Sequence, residues 1–299
     1  MHAIHFTVAL LLLCVPVQAE DFEIKLDRPW QVGQRFRVTK EQTNEIIMTM
    51  HVNGKAKEPN AKPKLSRRMK AEVEVLEVNK NGHLVSVRFR VEELSKAIGD
   101  HENQHGLLKN GTWVVETMSK DGPRFTLEDT DAELPPAATD VLKQLNLTHR
   151  VSDQDGVDLW SLTGRRYKIG DTWELDGDKA AKAWKAGDGK VSGQMKLTAM
   201  KEYAGLPCLE MSSEVNAIGI PVSADIKAIL PDSEIKSAVL KGTLSALVPK
   251  DTTQLIPMAS RSKESTFVFK VTPPEDVKAE LALHLQLRET SRQVYEHVK

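Results

Sequence analysis

The stretch that decides the fold is HLVSVRFRVEEL, residues 83–94, in which apolar and polar side chains alternate. Successive side chains of a β-strand point to opposite faces, so a period of two predicts a strand with one buried and one wet face. Strands of this kind are typical of antiparallel sheets. The apolar positions are Val85, Val87, Phe89 and Val91, and the polar positions are Ser86, Arg88, Arg90 and Glu92.

The same period continues on both sides of this stretch. MKAEVEVLEV (69–78) alternates in the same way, and Asn81-Gly82 between the two segments is a strong hairpin signal. Near the other end of the chain, ELALHLQLRET (280–290) places four leucines on one face. Further strands are predicted at 36–52, 190–203, 206–218, 238–248 and 264–272.

One segment has the pattern of a helix. PPAATDVLKQLNL (135–147) begins with prolines, which suit the first helical turn, and Val141, Leu142 and Leu145 form an apolar stripe. The predicted fold class is therefore mainly β: a large antiparallel sheet with one or a few helices packed on it.

The chain also contains an internal repeat. RPWQVGQRF (28–36) and RRYKIGDTW (165–173) share a basic residue, an aromatic, an aliphatic–glycine pair and a second aromatic in register. Two further landmarks follow in the same order in both copies: a Met-Lys pair at Met69 and Met195, and LKNGTWVVETMSKD (108–121) matched by LKGTLSALVPKD (240–251). Repetition in a fixed order predicts two related halves.

The repeat sets the predicted division of the chain. Residues 20–134 form the first β-rich half, 135–164 the helix and connection, and 165–299 the second half, with both halves in one compact unit. The first copy carries an insertion at 53–68, rich in Lys and Pro, that is predicted to be an exposed, mobile loop. Asp171 of the second copy aligns with Gln34 of the first, so the shared aromatic–glycine frame is interpreted as structural.

The N-terminus predicts export. An apolar run from Phe6 to Val17 precedes Val17-Gln18-Ala19, which fits cleavage of a signal peptide spanning 1–19 and a periplasmic or extracellular location. No transmembrane segment is predicted after cleavage. Cys14 would leave with the signal, although lipidation of Cys14 is the alternative. A formal net charge of -1 argues against a nucleic acid partner.

The most chemical motif is HENQH, where His101, Glu102 and His105 have the H-E-x-x-H spacing of zinc hydrolases. The motif requires a stable helix, but Gly99 and Gly106 bracket it and no apolar residue lies between Asp100 and His105. The stretch is therefore interpreted as a solvated loop, with no metal, no catalytic residues and no cofactor predicted. Cys208, the only cysteine left after cleavage, is interpreted as a core residue.

The segments YKIGDTWEL and VSGQMKLTAMKEYAGLPCLEM, together with the signal peptide, resemble exported bacterial proteins of unassigned function. At the level of fold the chain resembles the LolA/LppX lipoprotein-carrier group. That resemblance implies a strongly curved antiparallel sheet with helices on its concave side, and an apolar face that accepts acyl chains. It transfers no site residue, and the single clear helix departs from the group's pattern.

The expected function is that of a non-enzymatic exported β-protein that binds an apolar or lipid-like ligand, or an envelope partner such as a lipoprotein. The first alternative is a zinc-dependent hydrolase that uses His101, Glu102 and His105. The second is a structural or adhesive surface module.

Overall fold

The computed structural model describes residues 20–26, 28–61, 64–99, 102–104, 106–130, 132–145, 147–148, 166–184, 186–222, 226–227, 230, 233–273 and 278–298. The predicted signal peptide, His101, His105 and residues 149–164 of the predicted connection lie outside these residues.

The described residues form sixteen strands and two helices, which confirms the prediction of a mainly β fold. The strands are β1 (Phe22–Glu23), β2 (Arg35–Val52), β3 (Lys55–Ala56), β4 (Asn60–Ala61), β5 (Leu65–Val78), β6 (Leu84–Ile98), β7 (Glu102–Gln104), β8 (Trp113–Ser119), β9 (Gly122–Leu127), β10 (Arg166–Tyr167), β11 (Thr172–Glu174), β12 (Lys190–Tyr203), β13 (Leu206–Ile218), β14 (Glu234–Pro249), β15 (Met258–Val271) and β16 (Leu281–His297). The helices are α1 (Pro136–Leu145) and α2 (Gly177–Ala183).

Fourteen of the described strands form one antiparallel sheet. Its main order is β11-β12-β13-β14-β15-β16-β2-β5-β6-β8-β9, with β3 and β4 paired to β2 and β7 paired to β6. The C-terminal strand β16 lies between β15 of the second half and β2 of the first, in continuous register from His297 opposite Phe36 to Leu281 opposite Val52. This seam between β16 and β2 joins the two halves into a single sheet.

The repeated aromatic–glycine frame has the same geometry in both copies. Gly33 and Gly170 adopt positive φ angles of 80° and 97°, which glycine tolerates without strain. The amide of Gly33 donates to the carbonyl of Val75 at 2.8 Å, and the amide of Gly170 donates to that of Leu197 at 2.7 Å. The flanking rings also meet in both copies, at centroid distances of 4.9 Å for Trp30–Phe36 and 4.5 Å for Tyr167–Trp173.

In each copy the frame is followed by a β-hairpin, and both hairpins have a register shift at the corresponding position. The pairing of β5 with β6 shifts register directly after Val75, and the pairing of β12 with β13 shifts directly after Leu197. These are the two residues that accept from the frame glycines. The bulge after Val75 also explains a departure from strict alternation in the next strand, where Leu84 is buried and Val85 is only half-buried.

Both helices pack on the same face of the sheet and cover two hydrophobic cores. Helix α1 buries Ala138, Val141, Leu142 and Leu145 in the core of the first half, as its apolar stripe predicts. Helix α2 brings Ala180 and the following Trp184 into the core of the second half. Helix α2 was not predicted, because it is only 7 residues long and its start is marked mainly by the N-cap Asp176, which accepts from the Lys179 amide.

Two segments predicted to be loops contain short strands. In 53–68, β3 and β4 pair with the part of β2 beyond Asn44, where the pairing of β2 with β5 ends. This covers an edge that would otherwise expose unpaired backbone groups. In the HENQH stretch, Glu102–Gln104 is a strand that pairs with the end of β6, so the prediction of a solvated loop is wrong for these residues.

Candidate functional site

The face of the sheet that carries both helices and both cores is called the inner face here. On β2 it presents Phe36 and Val38, which are buried against α1, and every second residue after them. Directly opposite residues of neighbouring strands share a face, so the register of β15, β16, β2 and β5 defines this surface residue by residue.

At the far end of β2 the inner face becomes a continuous apolar surface, which we call the inner-face patch. Two adjacent strands supply it in register, with Met48 opposite Leu285 and Met50 opposite Leu283. On the next strand, Phe267 lies opposite Leu285 and Phe269 opposite Leu283. The patch consists of Ile46, Met48, Met50, Val52, Phe267, Phe269, Val271, Leu281, Leu283, Leu285 and Leu287.

The patch is only partly covered by the protein. Phe267, Phe269 and Leu285 are buried, whereas the other members are half-buried. Ile46, Met48, Leu283 and Leu287 pack against the core of the second half but keep part of their surface exposed. Contiguous apolar surface that a protein does not cover itself is characteristic of ligand or partner sites.

A polar band borders the patch on the same face. Its first row places Asn44, Glu289 and Lys263 opposite one another on β2, β16 and β15. The second row consists of Gln42, Ser291 and Arg261, and the third contains Lys40 and Gln293. Gln42 Nε2 donates to Glu289 Oε1 at 3.1 Å, which links the first two rows. The inner face is therefore amphipathic along β2 and β16.

Trp184 packs beside this band, on the side of the second half. The Arg261 guanidinium lies over its indole ring, 4.1 Å from the centroid. Gly242 lets the indole approach the sheet, because a Cβ at this position would lie 2.3 Å from Trp184 Cη2. Two buried polar atoms on this face, Ser213 Oγ and Gln293 Nε2, have no hydrogen-bond partner among the residues that the structure describes.

A buried carboxylate lies at the other end of the inner face. Glu116 on β8 is fully buried and accepts from the amides of Leu147 and Thr148 and from Thr148 Oγ1, the last at 2.6 Å. Burial raises the pKa of Glu116, against these hydrogen bonds and the charge of Lys40. The buried position of Glu116 was not predicted, although the alternation of WVVETMS already puts it on the face of Val114. Its contacts fix the chain after α1.

The described part of the HENQH stretch is not the helix that the alternative zinc-hydrolase reading requires. Glu102 lies in β7, while His101 and His105 fall outside the described residues. Among the residues that the structure describes, no group of three or more His, Cys, Asp or Glu side chains is placed to hold a metal ion. Asp171 accepts from the Lys168 amide at 2.9 Å within the repeated frame, in line with a structural role.

Cys208 is buried, in agreement with its interpretation as a core residue. Burial also raises the pKa of its thiol, which opposes the formation of a reactive thiolate. Neither described helix is long and apolar enough to cross a membrane.

Comparisons with known proteins give little further detail. No family model matches the chain, and no curated protein matches it. Among solved structures, it is similar to one of lipovitellin described under lipid–protein interactions, at a TM-score of 0.34 and 9% identity. The match covers 90% of this chain but 26% of lipovitellin, so the chain spans about a quarter of that protein's length.

Two bacterial structures are also similar over most of their length. The outer membrane protein OprG of Pseudomonas aeruginosa matches at a TM-score of 0.22 and 5% identity, over 91% of this chain and 100% of OprG. The toluene transporter TodX of P. putida matches at 0.16 and 8% identity, over 89% and 90% of the two chains. TM-scores this low carry no assignment of function, and the LolA/LppX resemblance stays a prediction.

Proposed function

We propose that this protein is a non-enzymatic, exported protein that binds a lipid-like ligand on its inner-face patch. The observation that carries the proposal is the half-buried apolar surface formed in register by β2 and β16, directly beside a polar band. A ligand with a long apolar part and a polar end matches this order of surfaces. The acyl chain of a lipid or of a lipoprotein has this chemistry.

The dimensions of the patch support an elongated ligand. It extends from Ile46 to Val52 along β2, which corresponds to about 20 Å of strand at roughly 3.4 Å per residue. Apart from Phe267 and Phe269, its side chains are flexible or branched aliphatics, and two of the β2 members are methionines, which adapt to ligands of variable shape. Covering such a surface contributes about 25 cal/mol per Å² of apolar area removed from water.

The compartment in which the protein would meet its ligand follows from the predicted signal peptide. An exported chain meets lipids and lipoproteins of the envelope, and such partners agree with the apolar character of the patch. A structural or adhesive module would use the same surface for a second protein. We favour the lipid-like ligand because the patch and the band lie on the face covered by α1 and α2 rather than on the open outer face.

Titration with a fluorescent fatty acid tests this proposal. Met50→Lys places a charge on the patch, and we expect it to weaken binding by about tenfold or more, which corresponds to the apolar burial of one large side chain. Thr49→Lys is the matched control, since the neighbouring residue of the same strand points to the outer face. We expect the control to bind as the wild type does.

Native mass spectrometry of the protein purified from its own host supplies a second readout. We expect a co-purifying lipid on the wild type that Met50→Lys loses and Thr49→Lys keeps. Equal probe affinity in all three proteins, together with the absence of any lipid adduct, would disprove the proposed function.

A further inference from the structure

We propose that His51 and His284 form a two-histidine site for a divalent transition metal such as Zn²⁺ on the outer face of the sheet. His51 lies on β2 opposite Ala282, and His284 lies on β16 opposite Thr49, so the two histidines are diagonal neighbours across the seam. Their imidazole rings stack with centroids 3.9 Å apart and an angle of 20° between the planes.

The rings are close enough to share one metal ion. With Zn–N bonds of about 2.0–2.1 Å and a tetrahedral angle, the two coordinating nitrogens lie about 3.3 Å apart. A shared ion requires each ring to rotate about its terminal side-chain torsion, so that one nitrogen lone pair of each ring points at the ion. Water molecules would complete the coordination shell, because the residues directly opposite the pair are Thr49, Ala282, Ala56 and Val268.

The contact between the two rings favours a bound metal over protonation of the pair. A neutral imidazole is the form that coordinates metals. One bridging metal ion satisfies both rings at once, whereas protonation of both would place two positive charges in contact.

The site lies where the seam ends. Beyond His51, Asn53 donates its amide to the Glu280 carbonyl at 2.9 Å, and its Oδ1 accepts from the Glu280 amide at 2.9 Å. A metal bound to His51 and His284 would therefore hold together the ends of the two strands that join the halves. This role is independent of ligand binding on the inner face, which lies on the other side of the same strands.

Calorimetric titration of the chain with Zn²⁺, without added affinity histidines, tests the proposal. We expect one ion per chain, and a melting temperature that rises with Zn²⁺ and then saturates. His51→Gln and His284→Gln each remove one ligand, and we expect each to weaken Zn²⁺ binding by about tenfold or more. His83→Gln, in the turn between β5 and β6, is the matched control and is expected to keep wild-type affinity.

Two further measurements separate loss of the site from loss of the fold. The circular dichroism of the metal-free variants is expected to match that of the wild type, because Gln preserves polarity and approximate size. The absorption spectrum of the Co²⁺-loaded protein is expected to change in both variants and not in the control. Zn²⁺ affinity unaffected by either substitution, or lost only in His101→Ala, would overturn the proposal.

Discussion

Trp184 packs directly on Gly242, and the contact between them leaves no room for a side chain at position 242. A Cβ at position 242 would lie 2.3 Å from Cη2 and 2.4 Å from Cζ3 of the indole. The indole is 1% exposed and also stacks on Arg261. The shape of the second core therefore depends on the absence of a side chain at one position of β14.

Gly242→Ala is expected to destabilise the protein by about 1–3 kcal/mol, because the new methyl group overpacks the core. The sign of this stability change is informative, since alanine in place of a strand glycine is otherwise neutral or stabilising. Urea unfolding measures the difference. Thr243→Ala on the outer face is the control and is expected to cost less than Gly242→Ala; an equal or more stable Gly242→Ala protein would refute the contact.

Glu116→Ala is expected to destabilise the protein by about 2–4 kcal/mol. The substitution leaves the amides of Leu147 and Thr148 and the Thr148 hydroxyl without their acceptor in a buried place. Glu116→Gln retains one acceptor oxygen and is expected to lose less. Chemical denaturation of the three proteins gives the comparison, and equal losses for Ala and Gln would show that the acceptor has no role.

The contribution of Glu116 is also expected to depend on pH. Its pKa is raised in the folded protein, so the folded state retains a proton that the unfolded chain releases near pH 4.3, at about the ordinary value for glutamate. The stability of the wild type relative to Glu116→Gln is therefore largest below that value and declines as the pH rises toward the folded pKa. Unfolding curves between pH 3.5 and 7 at about half-unit steps measure this trend, and a difference that grows with pH would contradict it.

The lowered pKa of His284 predicts the opposite pH dependence of stability. Its pKa is lowered by burial and by His51, so protonation favours the unfolded chain. The stability of the wild type is expected to fall as the pH drops below about 6.5, and His284→Gln is expected to reduce this fall. Lys270 lies opposite Ala282 on β15, on the same face of the sheet as the histidine pair. Metal-free melting curves of both proteins provide the test; parallel curves would exclude a contribution from the histidine pair.

Arg28 is expected to be the main attachment of the N-terminal segment. Its guanidinium donates to the carbonyls of Asp251 at 2.7 Å, Pro249 at 3.1 Å and Gln254 at 3.3 Å, and its Nε donates to that of Lys25. Lysine lacks this fork of donors, so Arg28→Lys is expected to cost about 1–3 kcal/mol. Limited proteolysis should cleave the variant faster around residues 20–30. Arg35→Lys, at an exposed ion pair, is the control and is expected to change little.

Local patterns in the sequence determined the secondary-structure elements. The period of two from Val87 to Val91 predicted β6, and the apolar stripe at Val141, Leu142 and Leu145 predicted α1. The repeated frame around Gly33 and Gly170 was visible because identical local geometry requires similar residues at identical spacing. Strand alternation also placed Leu281, Leu283, Leu285 and Leu287 of β16 on one face, and these four residues belong to the inner-face patch.

Tertiary structure alone decided how these elements meet. Nothing in the residues of β16 indicates that this strand pairs with both β15 and β2, because backbone hydrogen bonds between strands do not depend on side-chain identity. Two consequences of that pairing, the inner-face patch beside its polar band and the stack of His51 on His284, were therefore invisible in the sequence. The histidines that the sequence singled out were His101 and His105, which are close along the chain. The pair that the fold brings together, His51 and His284, comes from the two different halves of the chain.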